Sequence, residues 1–401
     1  MLARLLPHED CSPIVHELAR MGHQAPEEVP GHSDQACVWK LSDIPQTTAA
    51  ILAAWLQQQA PGAWWYSTIG ASTATTDVLF GCSVKQEAAL CQAAQQTPSL
   101  HAVGTALERA RHLQASAPTH LWLGNTPLPL WQRTYIMGIL NVTPDSFSDG
   151  GLYLNPEQAI KHAEEMLADG ADMIDVGGQS SRPGAAPVPA EVEYQRVIPV
   201  VRHLVKRYGA LVSVDTYRAS IAEAALDAGA VLINDISAMR FDGQMASLLA
   251  RYNATVVLMH MQGTPQTMQQ APTYRHVIDD IYGFLDERLC YAMQHGIVRQ
   301  RIVLDPGIGF GKTVPHCVEI LRSLESFQAL GQPLLVGTSR KSFLGALLQR
   351  DVWERLEGTI TSVVYAVLHG ATVVRVHDVR PIVQAVRLLD ALEQPPGPPK
   401  Q

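Results

Sequence analysis

From Tyr135 onward the chain alternates between two kinds of segment. Short apolar runs recur eight times: YIMGILNV (135–142), DMIDVGG (172–178), LVSVDT (211–216), VLINDI (231–236), TVVLMH (255–260), IVLDPG (302–307), LLVGTS (334–339) and TVVRVHD (372–378). Their apolar residues are continuous rather than alternating, the pattern of strands buried on both faces of a parallel sheet. Between them lie stretches such as PEQAIKHAEEMLADG (156–170) and RASIAEAALDAGA (218–230). Their apolar positions recur at helical spacing, and a glycine, the favoured helix stop, closes each. Eight βα units within residues 134–392 predict a closed (β/α)₈ barrel. A doubly wound open sheet is the structural alternative.

Residues 1–115 have a different texture, rich in Ala and Gln with irregular punctuation. Helices are expected at 47–59, 85–96 and 102–115, and strands at 63–69 and 77–84 joined by a Gly/Ser/Thr turn. This predicts a small α/β domain. Residues 116–133, APTHLWLGNTPLPLWQR from 117, are Pro-rich and read as a linker ending in a short hairpin. The tail 393–401, EQPPGPPKQ, reads as unstructured.

Composition narrows the function classes. Among 401 residues, 47% are hydrophobic, enough for at least one large core, and the net charge is −8 with charges spread along the chain. No basic stripe favours nucleic acid and no Lys/Arg block favours an anionic membrane. No apolar run reaches the roughly 18 residues of a spanning helix, and the N-terminus lacks the apolar core of a signal peptide. Six cysteines occur without C-x-x-C spacing. They read as reduced thiols of a cytoplasmic protein rather than as a zinc or redox site.

Chemistry in such a barrel sits at the C-terminal ends of the strands. There the chain carries Asn141, Asp175 with Ser181 and Arg182 just beyond, Asp215, Asn234 with Asp235, His260, Asp305, Arg340 with Lys341, and Arg375 with His377 and Asp378. Each alone has a plain structural explanation, such as capping the next helix. Eight polar strand ends around one rim call for a polar ligand as common partner. Asp215, Asp305 and Asn234 suit a flat, nitrogen-rich heterocycle, because a carboxylate takes two parallel hydrogen bonds from an amidine-like edge. Arg375, His377, Ser181 and Asn141 suit an anion with a divalent cation. GIGFGKT (307–313) imitates a phosphate-binding loop, but Pro306 stands where the first required Gly would be, and the dinucleotide pattern also fails.

These residues fall in motifs. MGILNVTPDSFSDGG (137–151) resembles the signature of the dihydropteroate synthases, the pterin-binding barrel enzymes of folate biosynthesis, and DVGGQSSRPGA (175–185) resembles their second signature. VSVDT, INDI, LMHMQGTP, DPGIGFGK, GTSRKSFLG and RVHDV follow in the family's order, so the likeness spans roughly 128–392. The N-terminal unit resembles the extension of long-form members. The resemblance implies condensation of 6-hydroxymethyl-7,8-dihydropterin pyrophosphate with 4-aminobenzoate to 7,8-dihydropteroate and pyrophosphate. It also implies Mg²⁺ as cofactor and a homodimer. Carried over, Asn141 would ligate Mg²⁺, and Ser181, Arg375 and His377 would join it in holding pyrophosphate. Asp215, Asn234, Asp305 and Lys341 would surround the pterin, with Met259 and Phe310 packed nearby. Phe147, Arg182, Lys341 and Ser342 would seat the aminobenzoate, and Asp149, Lys341, Arg375 and His377 would form the catalytic set.

Two positions depart from the family pattern. Gln179-Ser180-Ser181 stands where Glu-Ser-Thr is usual, and Cys317 follows His316 where Asn is usual. Two other functions compete: a methyltetrahydrofolate methyltransferase on the same barrel, and a non-catalytic pterin-binding protein acting through its N-terminal unit. The first has no need of the NVTPDSF loop or the Arg375-x-His377 pair, and the second has no need of a metal ligand. The N-terminal residues hold no cluster of acid, base and anion-binding side chains, so that unit is expected to contribute little to the chemistry.

Overall fold

The computed structural model describes residues 1–6, 12–24, 36–68, 74–130, 132–143 and 156–393. These divide into two compact units, Met1–Ala117 together with Glu325–Gly331, and Pro118–Leu324 together with Gln332–Gln401. Grouping of 325–331 with the first unit is not foreseen by the sequence.

The first unit contains β1 (Leu2–Leu6), α1 (Ser12–Arg20), β2 (Ala36–Pro45), α2 (Gln46–Gln59), β3 (Trp64–Ser67), β4 (Thr75–Ser83), α3 (Val84–Gln96) and α4 (His101–Ala115). Its antiparallel sheet has the order β1-β2-β4-β3. Alternation along β2 sends Cys37, Trp39 and Leu41 into a core with Leu52, Leu56, Leu90 and Leu107. Val38, on the opposite face, packs with Ile14 and Leu18 of α1. The expected helices and both expected strands are present; β1, α1 and β2 are additional. β2 is not marked by the local sequence pattern, because Lys40 interrupts its apolar run. That side chain is fully buried, its ammonium 3.2 Å from Glu17 and 3.1 Å from Asp77. Pairing makes such burial tolerable.

The second unit begins with the hairpin β5 (His120–Leu123) and β6 (Thr126–Pro129), as the linker pattern suggested. Then come β7 (Tyr135–Asn141), α5 (Pro156–Ala168), β8 (Met173–Gly177), α6 (Ala190–Tyr208), β9 (Val212–Asp215), α7 (Ala219–Asp227), β10 (Leu232–Asp235), α8 (Met245–Tyr252) and β11 (Thr255–Met259). The barrel finishes with α9 (Val277–Gln294), β12 (Ile302–Asp305), α10 (Val314–Arg322), β13 (Leu334–Val336), α11 (Ser342–Leu348), α12 (Leu356–Leu368), β14 (Ala371–Val376) and α13 (Val379–Glu393). β7 to β14 close into a parallel barrel in which β14 pairs with β7. This is the expected barrel rather than the open sheet. Gly170, past the end of α5, takes φ +101°, which the helix stop requires.

One end of the barrel is plugged by the hairpin. Leu121, Leu123, Leu128 and Leu130 pack with Tyr135, Met137, Met173, Leu232, Val257, Val303, Leu335 and Val373, which come from seven of the eight strands. The Trp122 carbonyl accepts from Thr255 Oγ1, and the Gly124 carbonyl accepts from Arg301 Nη2 at 2.9 Å. The plugged end lies at the strand starts, which leaves the strand ends for the site.

Leu121 is fully buried in this plug. Leu121→Ala is expected to lower unfolding free energy by about 2–5 kcal/mol, as deletions of a buried leucine do. Denaturant titration measures it; a loss under about 1 kcal/mol would show that the hairpin is not part of the barrel core.

Candidate active site

At the other end, parallel register aligns the polar strand ends. Asn141 stands beside Gly177, Gly177 beside Asp215, Asp215 beside Asn234, and Met259 beside Asp305. A pocket of about 390 Å³ opens here, lined by Asn141, Thr143, Ser181, Arg182, Met268, Phe310, Ser339, Arg340, Lys341, Ser342, Arg355, Arg375 and His377 among others. That volume suits a small organic ligand. Asn141, Ser181, Arg182, Phe310, Lys341, Ser342, Arg375 and His377 were singled out from sequence, and the fold brings them together. Phe147 and Asp149 lie outside the described residues.

Asp215 and Asn234 connect to the pocket residue Arg375 through a hydrogen-bonded network. Asp175, which carried no assigned role in the sequence, is its centre. Its Oδ1 accepts from Ser213 Oγ at 2.5 Å, and its Oδ2 accepts from Asn234 Nδ2 at 3.0 Å and Arg375 Nε at 2.7 Å. Arg375 Nη2 donates to Asp215 Oδ2 at 3.0 Å. Burial works against the Arg375 charge, but Asp175 and Asp215 outweigh it and hold the guanidinium charged. Burial pushes the Asp215 carboxyl up to about 7, with Arg375 opposing.

Asn234 Oδ1 is buried and takes no hydrogen bond from the described residues. Such an orphan acceptor costs about 1–3 kcal/mol unless a ligand donor meets it. Asp305 accepts Gly307 N–H on Oδ1 at 2.7 Å, and none of its described bonds uses Oδ2. Burial raises the Asp305 carboxyl, and the ammonium of Lys341 opposes the rise. Lys341 itself is lowered by burial to about 8. Its Nζ donates to the Ile308 carbonyl and lies 4.8 Å from the centre of the Phe310 ring. Met259 joins Ile236, Met261 and Met268 in an apolar cluster against which Phe310 and Tyr217 pack. Of these groups Lys341, Phe310 and Met268 line the pocket itself, whereas Asp215, Asn234, Asp305 and Met259 stand at neighbouring strand ends and are not among its described lining residues.

On the anion side, His377 Nδ1 is 3.0 Å from Ser339 Oγ, which also accepts the His377 backbone N–H at 3.1 Å. Burial, and then Arg340, Arg375, Arg182 and Lys341 nearby, push its pKa well down, so the ring is a neutral hydrogen-bonding group. Gln179 proves to be a brace for the loop that carries Ser181 and Arg182: its Nε2 donates to Tyr217 Oη at 2.8 Å, and its Oε1 accepts Val188 N–H at 3.2 Å.

The GIGFGK segment is not a phosphate loop. Gly307, at φ +68°, lies so close to β11 that a Cβ would sit 1.9 Å from the His260 carbonyl oxygen. Lys312 is buried, and its Nζ reaches His260 Nδ1 at 2.9 Å and the Phe310 carbonyl at 2.9 Å. It fixes Phe310 at the pocket edge instead of meeting a ligand.

Among the described residues no group of three His, Cys, Asp or Glu side chains could cage a metal ion, and no helix is long and apolar enough to cross a membrane.

Comparison with known proteins agrees with this geometry. Residues 137–377 match the family model of pterin binding enzymes. The dihydropteroate synthase of Synechocystis is 44% identical over 276 residues, 69% of this chain and 96% of that protein. That of Escherichia coli K12 is 45% identical over 271 residues, 68% and 95% respectively. Among solved structures, the Yersinia pestis dihydropteroate synthase in a sulfonamide drug complex superposes with a TM-score of 0.66 at 43% identity, covering 68% of this chain and 98% of that one. The Xanthomonas albilineans enzyme with 4-aminobenzoic acid gives 0.65 at 40% identity, covering 69% and 99%. The N-terminal residues, up to 136, lie outside the matched family model. With the signature motifs in the sequence, the eight-stranded barrel and these relatives, the chain belongs to the dihydropteroate synthases, transferases of folate biosynthesis.

Proposed function

We propose that this chain joins 6-hydroxymethyl-7,8-dihydropterin pyrophosphate to 4-aminobenzoate with the residues of this one rim. The observation that carries the assignment is the half-buried Asp215 with the buried Asn234 and Asp305, where Asn234 Oδ1 has no hydrogen-bond partner among the described residues. A dihydropterin presents an N–H edge and a ring carbonyl. Asp305 and Asp215 accept from the edge, Asn234 Oδ1 takes a further donor, Lys341 donates to the ring, and Met259 and Phe310 cover its apolar faces. Ser181, the Nη1 of Arg375 and His377 hold the pyrophosphate. Arg182, Ser342 and Lys341 seat the aminobenzoate carboxylate together with Phe147, and Asp149 joins the catalytic set.

In the reaction the amine nitrogen bonds to the pterin methylene carbon. The carbon–oxygen bond to pyrophosphate breaks, the electron pair leaves with pyrophosphate, and the amine proton is released. Arg375 and Ser181 stabilise the charge that grows on the leaving oxygens. The carboxylates favour positive charge that develops on the pterin methylene.

Mg²⁺ fits the residues present. A hard cation of this size keeps several waters and takes few protein ligands, usually one or two carboxylates, together with substrate phosphates rather than a protein cage. Asn141 offers one amide oxygen at the pocket wall. Bound there, Mg²⁺ would supply charge neutralisation to the pyrophosphate.

The enzyme is proposed to act as a cytoplasmic homodimer. Cys37, Cys82, Cys91 and Cys317 are free thiols, as a reducing compartment keeps them. Exposed Leu347, Leu348, Trp353, Leu368, Leu388 and Leu392 lie on α11 to α13 and the turn between, an apolar face suited to a second copy. All residues assigned to the reaction belong to residues 141–377, so the N-terminal unit has no direct part in it.

Three measurements test this reading. Asp305→Ala is expected to weaken dihydropterin binding by at least about tenfold in calorimetry, the lower end of losing one side of a buried charge-assisted pair; unchanged affinity would refute the pterin assignment. Turnover is expected to cease in EDTA and return with Mg²⁺, with Asn141→Ala raising the Mg²⁺ concentration needed; full turnover after chelation sinks the metal assignment. The third is a pH profile. Lys341 is cationic below about 8 and loses its charge above it, so kcat/KM should fall as pH rises through that value. Lys341→Arg should shift this limb to higher pH, because an arginine stays protonated. A limb unmoved by the substitution would assign it to another group.

A further inference from the structure

The loops that leave β13 and β14 are joined twice. The first link is the Ser339–His377 contact described above. One residue further along each loop, Arg340 Nε and Nη2 donate to the two oxygens of Asp378 at 3.0 and 2.5 Å. This parallel fork is the strong, orientation-specific form of an ion pair, and its side chains are only 17% and 20% exposed.

Arg340 is also held in an unusual backbone conformation. Its φ is +56°, in the left-handed region that L residues other than Gly, Asn and Asp rarely enter. Surrounding groups fix it there. Its N–H donates to Thr359 Oγ1 at 3.1 Å, Arg355 Nη1 donates to its carbonyl at 3.0 Å, and its guanidinium lies 5.0 Å from the centre of the Trp353 ring. Strain of this kind survives where the surroundings over-determine it, and it gathers at functional sites. The turn is followed at once by Lys341, whose ammonium bonds the Ile308 carbonyl. The partner carboxylate is preceded at once by His377, on the pocket wall.

We infer that Arg340 and Asp378 form a positioning pair for the transfer reaction: the fork sets Lys341 and His377 at a fixed separation across the pocket and occupies the Arg340 charge, leaving Arg375 to meet the anion. The inference rests on the roles proposed above for Lys341 and His377. Two other readings make different forecasts. An ion pair of no consequence would leave kinetics unchanged when broken. An Arg340 that binds the pyrophosphate directly would bind it better once released from Asp378.

The test is steady-state kinetics on the full chain with Mg²⁺ and both substrates, for Asp378→Asn, Arg340→Gly, Arg340→Lys and the double variant Arg340→Gly/Asp378→Asn. Glycine adopts φ +56° freely, so Arg340→Gly removes the fork and keeps the turn. Lysine keeps the charge and loses the fork. Each single variant is expected to lower kcat by about tenfold or more while KM for the dihydropterin substrate changes by less than about threefold, and the double variant is expected to lose no more than the worse single one, as coupled residues do. Losses that multiply in the double variant overturn the inference, as does a kcat within about threefold of the parent in Arg340→Gly, or full activity in Arg340→Lys. Tighter product inhibition by pyrophosphate in Asp378→Asn also overturns it, in favour of direct anion binding. If Asp378→Asn does not fold, Arg340→Gly and Arg340→Lys decide alone. Lys341→Met, measured alongside, separates the two levels of the argument. Its full activity would remove the role proposed for Lys341, whereas its loss together with an active Arg340→Gly would remove the positioning pair only.

Discussion

A carboxylate with no access to water must have its lone pairs met by protein donors, and at Asp175 this requirement organises the whole rim. Its donors come from three other strands: Ser213 on β9, Asn234 on β10 and Arg375 on β14. Satisfying Asp175 turns the amide of Asn234 so that its nitrogen faces inward and its oxygen is left over. It also draws the Arg375 fork down until one arm reaches Asp215. Asn234 and Asp215, proposed above as pterin acceptors, and Arg375, proposed as the anion-binding cation, are thus set by one buried group. Breaking such a group strands its partners in a poorly solvated place, a larger loss than any single contact.

The second theme is charge held back. Burial pushes Asp215 and Asp305 toward the acid form, Lys341 toward the amine and His377 toward the neutral ring. A ligand with an N–H edge at one end and a polyanion at the other favours the ionised carboxylates and the protonated lysine. On the roles proposed above, binding and ionisation would be linked in this way. Gln179 fits the same logic. It braces its loop as a neutral amide, giving to Tyr217 and taking from Val188, and adds no further charge beside Arg182.

Much of this was legible in the chain itself. Continuous apolar runs and helical spacing give eight βα units, because a parallel strand buried on both faces has no polar side to show. Polar residues at the ends of those runs mark the rim, since the strand direction is common to all eight. The N-terminal sheet was harder to read. β2 carries a fully buried lysine whose partners, Glu17 and Asp77, lie far away in sequence, and a local pattern cannot distinguish a paired interior lysine from a surface one.

The order of residues along the chain sets which side chains stand at strand ends, and so which could meet a ligand: Asn141, Asp215, Asn234, Asp305, Arg375 and His377 among them. Which of these act on one another follows from closure of the barrel. Asp175 and Arg375 are 200 residues apart and 2.7 Å in contact, and Arg340 reaches Asp378 only because β13 and β14 are neighbours in the barrel. Lys312, which imitates a phosphate-loop lysine in the sequence, is committed to His260 and the Phe310 carbonyl. The physical reason is that hydrogen bonding is short-ranged and directional, so the role of a polar side chain is fixed by what barrel closure brings within about 3 Å of it.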